Sequence, residues 1–340
     1  MRTAWFTLVS IISSLDLSHP EVGMDRSVER EQVRFVSGGT ECAAWHYPGV
    51  NGGCVIMAGG FAVPKEPGTD RFAARFNAAG YAVLAFDFRR LGDSGGQPRH
   101  VVRLREQLAD WRAAITFAAT LPDVDPARLA IWSFSFTGGQ VLDVAARNPA
   151  LAAAIAQTPN ADGPAAARHA ARHTTPLALL RLTGRGILDG LGSLVGRRPL
   201  LVPTTGERGT VALLSTPDAL AGFHAHALDP DGRYPDWQQA VAARSALRAG
   251  LYRPGRYASR IQCPLLVLAC EQDQSALAGP GIRAAHRAPR GELVVLPGGH
   301  YAPFMDAHEP AVEAELSFLR RHLPEPADHS ARAAAGSTAY

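Results

Sequence analysis

Residues 129–140 are Leu-Ala-Ile-Trp-Ser-Phe-Ser-Phe-Thr-Gly-Gly-Gln, and this stretch decides the predicted fold. Its first four residues are apolar and predict a buried strand, and the residues after Gly139 predict the start of a helix. A serine at a sharp junction of strand and helix has the setting of a nucleophile elbow. Its Oγ projects beyond the sheet, and the free N–H groups of the helix N-terminus suit a developing oxyanion. Ser135 is therefore a candidate nucleophile.

The elbow departs from the usual pattern Gly-x-Ser-x-Gly. Strand and helix nearly touch at the two outer positions, which must be small, and this chain has Ser133 and Thr137 there. Thr137 is β-branched and less accommodating than glycine, so it could strain or re-aim Ser135. A buried strand followed by a plain Ser/Thr/Gly turn explains this stretch alone equally well, and the rest of the chain must decide.

The composition is that of an ordinary globular protein. The chain has 340 residues, of which 46% are hydrophobic and 19% charged, enough for one large domain or two small ones. The net charge of +3 is small and the basic residues are scattered, which argues against a nucleic-acid partner. The four cysteines form no Cys-x-x-Cys pair, so we expect inert core thiols, which fit a reducing compartment.

Residues 1–23 predict an N-terminal extension that is absent from the mature protein if translation starts at Met24. Their apolar run, residues 4–12, is too short to span a bilayer. It resembles the core of a signal peptide but has no clear small-x-small cleavage site. We therefore predict a cytoplasmic protein without a membrane span, with export through an N-terminal signal as the alternative.

Short apolar runs alternating with helical patterns predict an α/β core in two parts, residues 24–157 and 263–323. Continuous apolar strands separated by helices predict a mostly parallel sheet with helices on both faces. The expected strands are residues 32–36, 41–47, 54–58, 81–86, 129–132, 153–157, 263–270 and 292–296, and the expected helices include 70–79, 104–119 and 309–322.

Residues 158–262 contain no obvious strand and predict a helical cap insertion, whereas residues 324–340 predict a disordered tail. Two apolar stretches of the cap, residues 177–180 and 187–195, predict an apolar pocket for an acyl group. The arginines of the cap could instead meet an acidic substrate, but a solvated surface explains them as well.

Two further candidates follow the last two strands, where ligands gather in parallel sheets. Asp273 follows the strand that resumes the core, and His300 lies in Gly-Gly-His straight after the last strand. A histidine with a pKa of about 6.5 can accept the proton of Ser135, and a carboxylate behind it holds its tautomer. Asp162, which follows strand 153–157, is the alternative acid.

An oxyanion hole should combine two backbone N–H groups, from Phe136 after the nucleophile and from Phe61 after Gly59-Gly60. Other site classes lack their motifs: no G-x-x-x-x-G-K-[ST], no G-x-G-x-x-G between strand and helix and no H-E-x-x-H is present. We therefore expect neither a nucleotide cofactor nor a metal.

Residues 30–323 resemble the α/β-hydrolase superfamily of serine hydrolases, on stretches 57–61, 86–96, 132–139 and 296–300. They look most like the branch related to dienelactone hydrolases and X-Pro dipeptidyl-peptidase-type hydrolases, which includes polyketide transferases and thiohydrolases. The resemblance implies the α/β-hydrolase fold, a Ser-Asp-His triad and no metal or organic cofactor. Gly59 departs from it, because many members have histidine there.

Three functions remain open. The first is a serine hydrolase that cleaves an ester or thioester of a small-molecule acyl substrate through an acyl-enzyme. The second is an acyltransferase of the polyketide transferase type, which passes the same acyl group to an alcohol. The third is a catalytically silent protein of this fold that binds a small ligand.

Overall fold

The computed structural model describes residues 29–324. The prediction for residues 1–23 lies outside that range, as does the predicted tail, residues 324–340, except for its first residue. The first half of the fold consists of β1 (Glu31–Ser37), β2 (Thr40–Tyr47), β3 (Cys54–Ala58), α1 (Asp70–Ala78), β4 (Ala82–Phe86), α2 (Leu104–Ala118), β5 (Leu129–Phe134), α3 (Ser135–Arg147) and β6 (Ala153–Gln157). Within the described range, no helix is both long and apolar enough to cross a membrane.

The second half begins with α4 (Gly163–Ala170), α5 (Pro176–Leu194), β7 (Leu201–Pro203), α6 (Pro217–His224), β8 (Ala240–Ala242), α7 (Ala243–Ala249) and a 3-10 helix (Pro254–Arg260). The core then resumes with β9 (Leu265–Cys270), α8 (Ala278–Arg287), β10 (Gly291–Leu296), a 3-10 turn (Ala302–Phe304) and α9 (His308–His322).

Eight strands form one sheet in the order β1-β2-β4-β3-β5-β6-β9-β10. The pairs from β4 to β10 are parallel, and β2 joins β4 antiparallel through the β1–β2 hairpin. This confirms the predicted α/β-hydrolase fold, because the carboxyl ends of β5, β9 and β10 meet at one edge of the sheet.

Helices cover both faces of the sheet, as the unbroken apolar strands predict. Alternate residues of β5 point to opposite sides: Ile131 joins the core under α2 and α3, and Trp132 joins the core under α1 and α9. Every residue of β3, β4, β5, β6 and β9 is buried. The sheet is thus a rigid platform for the loops at its carboxyl edge.

Three elements differ from the sequence-based predictions. Residues 158–262 do contain strands, since β7 and β8 pair antiparallel as a two-stranded ribbon. Each strand has three residues, too few for an alternating pattern to be visible. Helix α8 was not predicted, because its sequence Ala-Gly-Pro-Gly at the start resembles a loop.

Glu315 of α9 is a fully buried carboxyl group, and its Oε1 accepts a hydrogen bond from Trp132 Nε1 at 3.0 Å. Burial raises its pKa from 4.5 to about 8, although the bond to Trp132 opposes this shift. The folded protein therefore keeps a proton that the unfolded chain loses near pH 4.5. Because the folded state binds more protons, this group makes the free energy of unfolding fall as the pH rises from about 4.5 to about 8.

Glu315→Gln keeps an acceptor for Trp132 and removes this titration. We expect the variant to match the wild type near pH 5 and to exceed its free energy of unfolding by a few kcal/mol, in order of magnitude, near pH 9. Urea unfolding at both pH values measures the difference. Glu313→Gln, on the same helix with a side chain 70% exposed, is the control. Equal pH dependence of wild type and Glu315→Gln would contradict the assignment.

Candidate active site

Ser135 stands at the junction of β5 and α3 in a left-handed backbone conformation, with φ of 60°. Non-glycine residues rarely adopt this region, and strained residues of this kind cluster at functional sites. Two hydrogen bonds fix the turn: Ser133 Oγ donates to the carbonyl of Ala58 at 2.7 Å, and Asn160 N donates to the carbonyl of Ser135 at 2.9 Å.

In the usual elbow pattern a glycine is required at the position of Thr137. Here the first position after Ser135 that has no room for a side chain is Gly138, one residue later. A Cβ on Gly138 would lie 2.8 Å from the carbonyl oxygen of Gln157, and one on Gly139 only 2.3 Å from that of Asn160. Thr137, which precedes these two glycines in the sequence, is fully buried. Helix α3 therefore approaches the end of β6 through Gly138 and Gly139, which explains how Thr137 is tolerated.

Three of the predicted residues lie in one hydrogen-bonded chain. His300 Nε2 is 2.9 Å from Ser135 Oγ, and His300 Nδ1 is 2.7 Å from Asp273 Oδ2. His300 is 1% exposed and Asp273 6% exposed. The other oxygen of Asp273, Oδ1, accepts from Ala276 N at 2.7 Å, so both carboxylate oxygens have partners. In this arrangement the imidazole can accept the serine proton.

The electrostatics of the pair favour a basic imidazole. Burial alone would lower the pKa of His300, but the charge and hydrogen bond of Asp273, together with the charge of Asp218, raise it above the usual 6.5. Residues that stabilise the imidazolium strengthen the histidine as a base.

Asp218, in the first turn of α6, is a residue that the sequence analysis missed. Its Oδ2 accepts from Gln274 N at 2.8 Å, from Ser275 N at 3.1 Å and from His300 N at 3.3 Å. One carboxylate thus ties the loop of Asp273 to the loop of His300. Burial would raise its pKa, but the charge of His300 and hydrogen bonds from Thr216, Gln274 and Ser275 lower it, so it stays ionised. Its sequence, Thr-Pro-Asp, is that of an ordinary helix start and carries no signal for this role.

Asp162, the alternative acid, is engaged elsewhere. It is the N-cap of α4, where Oδ1 accepts from Ala165 N at 3.2 Å and Oδ2 lies 3.3 Å from Arg253 Nη2. The structure therefore brings Asp273, and not Asp162, into contact with His300.

Phe61 and Phe136, the two predicted oxyanion-hole residues, flank Ser135. Their rings meet edge to face with centroids 5.0 Å apart, and both line the cavity that Ser135 borders. Phe136 N belongs to the first turn of α3, where N–H groups have no partner within the helix.

The loop after β3, which contains Gly59, is held in place by a buried lysine. The buried Lys65 ammonium lies 3.0 Å from Asp87 Oδ2 and 2.6 Å from Asp93 Oδ2, while Lys65 N donates to Asp87 Oδ1 at 2.7 Å. This ion-pair cluster fixes the loop that carries Phe61.

Two cavities meet at Ser135. The first, of about 320 Å³, lies under α4, α5 and α7, and its walls are mainly alanine and leucine. The second, of about 440 Å³, is more polar, and Tyr234, Trp237 and His226 contribute to its walls. In the described residues, His, Cys, Asp and Glu form no group of three or more that could hold a metal ion.

The predicted apolar pocket is correct for only part of the cap. Ala178 and Leu179 line the first cavity, together with Leu182. Residues 187–195 were predicted to line it too, and this is wrong: Ile187, Leu188, Leu191 and Leu194 of that stretch are more than half exposed. The helix turns these side chains outward, because its inward face is occupied by Ala178, Leu182, Gly186 and Asp189.

Comparisons with known proteins identify the family of this chain. The family model described as serine aminopeptidase, S33, matches residues 54–307. The quorum-quenching protein AidA of Acinetobacter baumannii (strain MDR-ZJ06) is 38% identical over 297 residues, which are 86% of this chain and 95% of AidA. A thiohydrolase of Eupenicillium brefeldianum is 30% identical over 182 residues, 53% of this chain and 56% of the thiohydrolase.

A third relative, polyketide transferase grgF of Penicillium sp, is 25% identical over 303 residues, 87% of this chain and 98% of the relative. The crystal structure of the α/β hydrolase GrgF from Penicillium sp. sh18 superposes with a TM-score of 0.71 at 23% identity, covering 87% of this chain and 99% of GrgF. These matches confirm the resemblance found in the sequence: the chain belongs to the serine aminopeptidase S33 family within the α/β-hydrolase superfamily.

Proposed function

We propose that this protein is a serine hydrolase that cleaves an ester or thioester through an acyl-enzyme on Ser135. The observation that carries the proposal is the continuous hydrogen-bonded chain from Ser135 Oγ through His300 to Asp273, at 2.9 and 2.7 Å. A serine hydroxyl is a weak nucleophile at neutral pH and needs a base in contact, which His300 supplies. The thiohydrolase and transferase names among the relatives support acyl chemistry.

In the proposed mechanism, Ser135 Oγ attacks the acyl carbonyl carbon while its proton passes to His300 Nε2. The backbone N–H groups of Phe61 and Phe136 stabilise the oxyanion of the tetrahedral intermediate. His300 then donates the proton to the leaving alcohol or thiol, and the acyl-enzyme remains. A water molecule that gives a proton to His300 then attacks the acyl carbonyl carbon, and His300 returns this proton to Ser135 Oγ as the acid is released. Asp273 orients the imidazole and stabilises the imidazolium through its bond to His300 Nδ1.

The two cavities fit the two halves of such a substrate. We assign the leucine- and alanine-lined cavity of about 320 Å³ to the acyl chain, because apolar walls favour a hydrocarbon. The more polar cavity of about 440 Å³ takes the alcohol or thiol half.

Acyl transfer is the second candidate, and the second cavity favours it. Once the leaving group has gone, that cavity has room for an acceptor alcohol in place of water. Product analysis of an ester reaction with and without added alcohol separates the two: a new ester indicates transfer, and free acid alone indicates hydrolysis.

We propose that the protein is located in the cytoplasm. Its four cysteines are free, buried thiols, which fit a reducing compartment.

Ser135→Ala removes the proposed nucleophile. We expect turnover of a p-nitrophenyl ester to fall by at least about 1,000-fold with an unchanged circular dichroism spectrum, and labelling by a fluorophosphonate probe to be lost. Ser259→Ala, at an exposed position of the 3-10 helix Pro254–Arg260, is the control and should keep the label. Wild-type turnover in Ser135→Ala would refute the mechanism, and absence of label on the wild type would favour a silent ligand-binding protein.

The acid is tested by comparing Asp273→Asn with Asp162→Asn. Asparagine at position 273 stabilises the wrong imidazole tautomer. We therefore expect kcat to fall by about 10⁴-fold, as the same Asp-to-Asn change does in a serine protease triad. Asp162→Asn should cost less than about tenfold, since its contacts are to α4 and Arg253. Steady-state kinetics of both variants decide, and the reverse ranking would overturn the assignment.

Asp218 is proposed as a positioning residue for His300. Asp218→Asn weakens charge-assisted bonds to both loops, and we expect kcat to fall by about tenfold to 100-fold. Activity needs neutral His300 and is lost as the pH falls through its pKa, which the charge of Asp218 raises. The acid limb of the kcat/KM profile should therefore move to lower pH in the variant. Asp231→Asn, with a side chain 68% exposed, is the control. A fall in kcat without this movement would leave Asp218 only a structural role.

A further inference from the structure

Helix α5 exposes an apolar stripe on the side that faces away from the protein, here named the outer face of α5. Its members are three or seven residues apart, except for the adjacent Ile187 and Leu188, and this spacing places them on one side of the helix. Each is more than half exposed: Leu177, Leu180, Ile187, Leu188, Leu191 and Leu194. A contiguous exposed apolar surface of this kind marks an interaction site.

The outer face is not the side of α5 that packs on the protein core. The opposite side of the helix makes those contacts. Ala178, Gly186 and Asp189 are buried there, and a Cβ on Gly186 would lie only 2.6 Å from Leu247. Asp189 accepts from Leu200 N at 2.9 Å and from Arg244 N at 3.0 Å. These contacts fix the rotation of the helix about its axis and keep the leucines outside.

The segment that contains α5 is rich in arginine and has a single acidic residue. Residues 163–206 hold six of the 34 basic residues of the chain and one of its 31 acidic residues. The single acid, Asp189, is 2% exposed and pairs with Arg244. Arg181 and Arg185 follow the stripe along one flank of the helix, and the six arginines are Arg168, Arg172, Arg181, Arg185, Arg197 and Arg198.

We propose that the outer face of α5 docks on an anionic lipid surface, with the helix lying in the plane of the interface. Leucines that enter the acyl boundary and arginines that meet anionic headgroups are the two parts of such a binding helix. A second copy of this chain fits less well, because a two-fold pairing would bring the arginines of both copies together. Docking by this face does not depend on the proposed hydrolysis.

Helix α5 carries the outer face and also contributes to the wall of the apolar cavity. Leu179 of α5 and Leu251 after α7 both line that cavity, and they are 39% and 76% exposed. An acyl chain could therefore pass from the lipid surface into the cavity without crossing bulk water. The docked state thus gives the exposed leucines a role in supplying apolar substrates.

The test is sedimentation of the full chain with vesicles of phosphatidylcholine, alone or mixed with phosphatidylglycerol. We expect binding to the mixed vesicles that weakens as salt is added. The triple variant Leu180→Gln, Leu188→Gln, Leu191→Gln should lose at least about tenfold in partition coefficient, because glutamine keeps the helix but not the apolar stripe. Hydrolysis of a short soluble ester should be unchanged, since none of the three lines the cavity.

Matched controls sit elsewhere on the surface. Val50→Ser changes a residue that is 91% exposed outside the cap and should bind vesicles as the wild type does. Arg181→Glu with Arg185→Glu should abolish the preference for phosphatidylglycerol, whereas Arg105→Glu with Arg112→Glu, exposed on α2, should keep it.

Three results would overturn the proposal. The first is a wild type that does not bind the mixed vesicles. The second is a triple variant that binds as well as the wild type, which would place binding in another part of the chain, such as residues 1–28. The third is a wild-type dimer in analytical ultracentrifugation that the triple variant converts to a monomer while vesicle binding is absent, which would make the face a contact between two copies.

Discussion

A left-handed backbone at a serine costs roughly 1–3 kcal/mol, and such a conformation persists only where its surroundings hold it. At Ser135 they do so from three sides: β6 accepts the close approach of Gly138 and Gly139, Asn160 N binds the serine carbonyl, and Ser133 ties β5 to β3. The other parts of the proposed mechanism depend on the position that this backbone gives to Ser135 Oγ, which lies 2.9 Å from His300 Nε2. The same turn starts α3, so the N–H of Phe136 belongs to the first helical turn, where backbone N–H groups have no partner within the helix.

The second constraint is that two loops from neighbouring strands must present Asp273 and His300 in register. The pairing of β9 with β10 sets the distance between the two loops. The orientation of the loops is fixed by Asp218, which accepts hydrogen bonds from backbone N–H groups of both. Asp218 belongs to α6, within the segment predicted as a cap. A displacement of α6 would therefore change the geometry and the charge around His300 together, and residues 158–262 are coupled to the site by more than the cavity walls that they provide.

The sequence predicts the core well because the buried strands are almost entirely apolar runs, as at residues 54–58 and 153–157, which the structure reproduces. Ser135, Asp273 and His300 could be selected because each directly follows a strand. Residues 158–262 are different: β7 and β8 are too short to show a period, and the leucines of α5 look alike whether they face in or out. Asp218 contacts residues 56 to 82 positions away, and no local pattern carries such a contact.

On the proposed mechanism, the arrangement of the two cavities decides between hydrolysis and transfer. His300 is 1% exposed, so a water molecule or an alcohol that reacts with the acyl-enzyme must reach it through a cavity that borders Ser135. The acyl chain occupies the apolar cavity at that stage, and only the second one becomes free when the leaving group departs. Its walls carry polar groups, Trp237 and Tyr234 among them, that can hold an alcohol or a chain of water. Substitutions in that wall can therefore change the acceptor while the Ser135–His300–Asp273 chain stays the same, which is how one scaffold can host both thiohydrolases and polyketide transferases.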